Sequence, residues 1–192
     1  MTTTEIRKGW RTPAVFYRLI SSSVLRAVLG WDFPAHNLRQ WVEPGTGTTC
    51  VEIGSGGGFY TRPLRAHLGE KNTLVALDPA ASSMMALREK LSTVDGASML
   101  YLGGDGCKLP FASDSIDTMF YGYSLEEVPD PLAALTEAHR VLKPGGQLVV
   151  FLWRPVIMRS RRAPVQRLLD EMFTRHVVRR GPQNIRLSYR KP

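Results

Sequence analysis

Short apolar runs recur along the chain, and amphipathic stretches stand between them. The runs end at Ile53, cover Thr73–Asp78, Ala97–Leu102 and Ser115–Tyr121, and finish with Gln147–Trp153. Each is strand length, and runs separated by helical patterns indicate a parallel sheet with helices on both faces. Residues 14–29 place Phe16, Leu19, Ile20, Val24, Ala27 and Val28 at helical spacing, and Gly30 fits the end of that helix. A short helix is expected over Pro34–Val42, another over 58–68, and a third over Ser82–Val94 with Met84, Leu87, Leu91 and Val94 on one face. Asp130-Pro131 is a helix cap followed by proline at the first helical position. That helix should bury Leu132, Leu135 and Leu142 and stop at Pro144-Gly145-Gly146. Val165, Leu168, Leu169, Met172 and Phe173 form the stripe of a last helix, read as core. His176–Arg180 and Asn184–Arg190 read as a closing pair of strands around Gly181-Pro182.

The first run breaks into Val51-Glu-Ile-Gly-Ser-Gly-Gly-Gly58. Glycine lets a chain turn sharply and lets a ligand press against the backbone. The spacing is E-x-G-x-G-x-G. It differs from the G-x-G-x-x-G of dinucleotide folds, because Phe59 stands at the position of the third glycine. A carboxylate just before the turn favours a ligand with a positive charge. Asp78 closes the second strand 20 residues after Gly58, the distance at which doubly wound folds hold ribose hydroxyls.

Together with Asp105-x-x-x-Leu109-Pro-Phe111 and Arg140-Val-Leu-Lys-Pro-Gly-Gly146, this order of signals resembles the class I methyltransferases that use S-adenosylmethionine (SAM). It is similar to the subgroup that includes ubiquinone and menaquinone methyltransferases, through residues 51–153. The resemblance implies a doubly wound, mostly parallel seven-stranded α/β sheet ending in an antiparallel hairpin. It implies a division into an N-terminal helical segment, 1–45, as a candidate lid, and a SAM-binding domain, 46–192. It also implies roles. Glu52, Gly54, Ser55, Gly56 and Gly58 lie against the methionine part, and Asp78 takes the ribose hydroxyls. Asp105 and Gly106 meet the adenine, and Tyr121 and Gly122 border the sulfonium. Each acid has a plainer alternative: Glu52 as a salt-bridge partner, Asp78 as a helix cap, Asp105 as a turn residue.

The chain departs from the subgroup after the fourth strand. Many members carry Leu-His-His-Val there, and this chain has Leu125-Glu126-Glu127-Val128. Two acids favour a cationic acceptor, or give Glu126 a base role if burial raises its pKa; the alternative is a solvated loop. Glu126 and Tyr123 are the candidate catalytic residues. Trp10, Tyr17, Trp31 and Tyr123 are candidates for an aromatic acceptor pocket, and His139 is read as packing.

Composition narrows the classes further. A chain of 192 residues with 43% apolar content suits one domain with a sizeable core. No apolar run approaches the ~18 residues of a membrane span. No secretory signal is visible, so a cytoplasmic location is expected. Two cysteines and four histidines give no metal-site spacing; Cys50 reads as core, and Cys107 stands near the expected site. The net charge of +8 belongs to the C-terminal fifth: residues 154–192 hold 11 Lys and Arg against 2 acids. Such a segment suits phosphate, RNA or an anionic membrane surface, or is simply solvated. The expected partner is a small-molecule methyl acceptor. The alternatives are an RNA or protein methyltransferase using the basic segment, and a SAM-fold partner subunit without catalysis of its own.

Overall fold

The computed structural model describes residues 34–153, 159–181 and 184–192. The expected helix at 14–29, with Trp10, Tyr17 and Trp31, lies outside them, as do Pro182 and most of the candidate lid. In chain order the elements are α1 (Pro34–Trp41), β1 (Thr49–Ile53), α2 (Thr61–Leu68), β2 (Thr73–Asp78), α3 (Ala81–Lys90) and β3 (Ser98–Gly103). Then follow β4 (Ile116–Gly122), α4 (Pro131–Val141), β5 (Leu142–Trp153), α5 (Arg159–Met172), β6 (Thr174–Arg180) and β7 (Asn184–Arg190).

The seven strands form one sheet in the order β3-β2-β1-β4-β5-β7-β6. The first five are parallel, whereas β7 is antiparallel to both β5 and β6. This is the doubly wound sheet with a terminal hairpin that the sequence leads one to expect. The strand order reverses between β1 and β4, and a crevice opens beyond the strand ends at such a reversal.

Helices cover both faces. Leu135, Ala138, Val165 and Leu169 of α4 and α5 pack with Val51, Leu77, Met119 and Leu148 on one side. On the other, Leu38 and Trp41 of α1 and Leu64 of α2 meet Cys50, Phe120 and Phe151. Met84 and Leu87 of α3 extend that layer over Ala76. Each fully buried leucine contributes about 1.5–3 kcal/mol. Within the expected lid, Leu38, Trp41 and Val42 are buried and belong to the core.

Local signals act as expected at several joints. The Asp130 carboxylate accepts from the amides of Leu132 and Ala133, and Pro131 opens α4. Leu132 is only half-buried, however, and α4 stops at Val141, before Pro144. Leu142 to Gly146 already belong to β5 and bulge between the Ile116↔Leu142 and Thr118↔Gln147 pairs. Lys143 Nζ meets Asp117 Oδ1 at 2.6 Å, and the Gly145 amide donates to Lys191 O. The Lys-Pro-Gly-Gly segment therefore bulges the start of β5 rather than ending the helix.

Candidate active site

A cavity of about 340 Å³ opens where the C-terminal ends of β1, β2 and β4 meet, a size typical of small-molecule sites. The glycine turn forms its floor. Gly54 has φ +72°, and a Cβ there would lie 2.6 Å from Ser124 Cβ. Only glycine suits both that conformation and that approach. Gly58 does a different job: a Cβ would lie 2.3 Å from Leu87 Cδ1, so its absence lets α3 close against the turn.

Asp78 ties this turn to β2. Its Oδ2 accepts from the Gly56 amide at 2.9 Å, and its Oδ1 accepts from the Ala80 amide at 2.9 Å. Each oxygen keeps a second lone pair, and the residue lines the cavity. The Ala80 contact is a turn just ahead of α3, whose N-cap is Ala80 and which has no side-chain cap; the alternative of Asp78 as a helix cap is thus not seen, and the carboxylate faces the cavity.

Glu52 is 2% exposed and also lines the cavity. Among the described residues its Oε2 has no partner in hydrogen-bond geometry. Burial pushes its pKa up to about 7; the nearby Thr61 hydroxyl offsets part of that, and the Asp78 charge adds to it. An orphaned buried carboxylate oxygen calls for a donor or cation from outside the protein. The salt-bridge alternative for Glu52 has no support among the described residues.

Asp105 also lines the cavity, exposed, with Oδ1 accepting from the Cys107 amide at 2.9 Å. It is a turn residue and a cavity residue at once. Gly106 brings the turn against β1, since a Cβ would meet Ile53 Cγ2 at 2.8 Å. The Cys107 thiol donates to Asp130 O, and burial raises its pKa to about 11, so it stays protonated at neutral pH. Ser55 lines the cavity with its hydroxyl on Met84 sulfur.

Two expected placements need correction. Tyr121 does not border the cavity: its ring is fully buried among the α4-side core residues, with its hydroxyl donating to Ala134 O. In a strand the next residue faces the other way, and Gly122 borders the cavity. Glu126 is buried too, but its Oε1 accepts from the Trp153 amide at 2.9 Å, and it does not line the cavity. The carboxylate that does line it is Glu127.

Tyr123 lies on the cavity wall with φ +61°, an unusual conformation for a bulky residue. Its ring packs near those of Tyr60 and Phe151, and Phe59 and Tyr60 complete an aromatic wall. Sequence reading passed over Phe59, Tyr60, Lys90 and Ser124. The first two directly follow the glycine run, which is the signal that could have drawn attention to them. His139 packs edge-on to Phe173 at 5.3 Å, away from the site, as expected. Among the described residues, no cluster of His, Cys, Asp and Glu could hold a metal.

The arrangement offers an unpaired buried carboxylate for a cation and an acid with free lone pairs for hydroxyls. It adds a glycine surface for close approach and an aromatic wall.

Demethylmenaquinone methyltransferases from Staphylococcus epidermidis and Staphylococcus aureus are each 33% identical over 103 residues, covering 54% of this chain and 42% of the relative. The chain thus spans less than half the length of these curated relatives. The crystal structure of a SAM-dependent methyltransferase from Aquifex aeolicus superposes with a TM-score of 0.75 at 20% identity, covering 100% of both chains. A putative SAM-dependent methyltransferase from Methanococcus maripaludis gives 0.69 at 19%, covering 90% of this chain and 89% of its own. These two likenesses concern the fold. The family profile described as "Methyltransferase domain" matches residues 51–150, from the glycine strand to the middle of β5, so the chain belongs to the methyltransferase-domain family.

Proposed function

We propose that the cavity binds SAM and that the chain transfers its methyl group to a small-molecule acceptor. The observation that carries this reading is Glu52: a buried carboxylate with an orphaned oxygen, set beside a glycine turn and Asp78. SAM would supply an ammonium, ribose hydroxyls and a methyl already activated by a sulfonium. Glu52 would face the ammonium, Asp78 the ribose hydroxyls, and Asp105 with the Gly106 backbone the adenine. Gly122 and Tyr123 would border the acceptor side.

The protein's part in such a reaction is orientation. Holding the reacting atoms in line can supply about 7–11 kcal/mol of the barrier, and no acid–base dyad is required unless the acceptor must lose a proton. A flat apolar acceptor suits the wall of Phe59, Tyr60 and Tyr123. The relatives' printed name, demethylmenaquinone methyltransferase, supports a quinone-like acceptor. Leu38, Trp41 and Val42 are core, so a covering segment would have to come from residues 1–33 or from a partner. No helix among the described residues is long and apolar enough to cross a membrane, and a cytoplasmic site of action fits.

Calorimetry with SAM tests the reading on the wild type and Asp78→Ala. Micromolar binding that falls at least tenfold, about 1.4 kcal/mol, is the expected outcome. A folded wild type that does not bind SAM would refute it.

A further inference from the structure

The sheet has two outer strands, and the sequence treats them differently. Among the described residues β6 pairs only with β7, and β3 only with β2. An outer strand presents unpaired amides and carbonyls that invite another strand, and charges along it discourage that. β6 carries such charges: Arg175, His176, Arg179 and Arg180 all belong to it. β3 carries none. Its residues, Ser98-Met-Leu-Tyr-Leu-Gly103, include no charge and no proline, and they pair in unbroken register with Thr73 to Asp78 of β2.

The surroundings of β3 are apolar on both faces. No helix joins β3 to β4; residues 104–115 make that passage, and Leu100 is left 53% exposed. The other face holds Met99 and Tyr101, half-buried against the α3 layer. Arg88 of α3 lies close enough to Tyr101 for its charge to be felt there, whereas Lys90 reaches back to Gly57 O. The Arg88 flank of α3 therefore looks toward β3 and its open side. Met85, one turn earlier on that flank, is 71% exposed. Two of the three large apolar side chains exposed among the described residues thus frame this one strand.

We propose that two copies of this chain pair through β3, antiparallel about a twofold axis, to make one continuous sheet. The occupant follows from the strand itself. In an antiparallel pair, directly opposed residues share a face, so a twofold axis at Leu100 sets that side chain against its own copy. The same register sets Met99 against the copy's Tyr101, a favourable contact of sulfur and ring, and Ser98 against the copy's Leu102. The α3 flank brings one charge of each sign, Arg88 and Glu89, so no net charge opposes the approach. Because both copies use the same strand, the assembly closes at two.

The rest of the chain joins the described residues on the other side of the sheet. Residues 1–33 lead into α1, which touches Arg179 of β6, and 154–158 and 182–183 adjoin β5, β6 and β7. The twofold reverses strand direction, so the two cavities, at the C-terminal ends of β1, β2 and β4, open at opposite ends of the joint sheet. The pairing rests on β3 and not on the SAM reading, so either can fail while the other holds.

Light scattering on the full chain during gel filtration decides it, over about 1–200 μM so as to bracket a micromolar dissociation constant. The mass should rise from one chain to two and stop there. L100K sets like charges face to face at the axis and should weaken pairing at least about tenfold. M85K should weaken it by less, and keeps the test valid if L100K disturbs folding. V177K, on the other outer strand, should leave pairing unchanged, and thermal melting of each variant checks that it is folded. The proposal is overturned by a monomer at the highest concentration, by a mass that grows beyond two chains, by a dimer indifferent to both L100K and M85K, or by equal loss in V177K.

Discussion

Replacing Glu52 by glutamine should make the protein more stable at alkaline pH while weakening its hold on SAM. Burial lifts the Glu52 pKa from an ordinary 4.5 to about 7. A tenfold change in proton affinity is worth about 1.4 kcal/mol, so that gap corresponds to about 3 kcal/mol. The raised value means that the folded protein prefers the protonated acid. Below about pH 4.5 both folded and unfolded chains carry the proton, and the charge costs nothing. Between pH 4.5 and about 7 the unfolded chain loses its proton first, so stability falls as pH rises. Above about 7 the cost is complete. Glutamine mimics the protonated acid at every pH. Urea denaturation of the wild type and Glu52→Gln, run from pH 5 to 8.5 in steps, should therefore show curves that diverge as pH rises. The variant should lead by about 1–3 kcal/mol at the alkaline end. Near neutrality, SAM binding to the wild type should release protons, since an ammonium beside Glu52 favours its charged form; the variant should release fewer and bind more weakly. Parallel stability curves with no divergence would refute the argument that Glu52 is buried without a partner.

Three further outcomes can be checked by denaturation, SAM binding and amide exchange. Gly54→Ala places a methyl 2.6 Å from Ser124 Cβ at φ +72°; it should cost about 1–3 kcal/mol and impair SAM binding, and a neutral result would show the turn to be plastic. Asp130→Ala removes the acceptor for two amides of α4 and should cost about 1 kcal/mol without changing SAM affinity. Arg140 holds Leu109 O, Phe111 O and the Glu137 carboxylate together. Arg140→Ala should cost about 1–3 kcal/mol and loosen the segment carrying Asp105, seen as faster amide exchange at residues 105–111.

Much of this fold was legible because its signals are local. The glycine turn, the Asp130-Pro131 cap and the strand-length apolar runs each depend on a few consecutive residues, and the strands fall within a few residues of the expected places. The positions of Glu52, Asp78 and Asp105 at one mouth follow from the α/β order, because every parallel strand delivers its C-terminal end to the same side. Side-chain direction was not legible in this way. In a sheet covered on both faces the apolar run is continuous, so no polar alternation tells Phe120 and Gly122 from Tyr121, and the pleat alone sends the tyrosine into the α4-side core. The same holds for the two glutamates: adjacent in sequence, one is spent on the Trp153 amide and the other reaches the cavity. The path of Lys143–Gly146 was decided by a cross-sheet partner, Lys191, 45 or more residues away in the chain. That Glu52 is left with an unpaired oxygen depends on which groups the packed strands bring near it and which they do not, and that is fixed only when the whole sheet has formed.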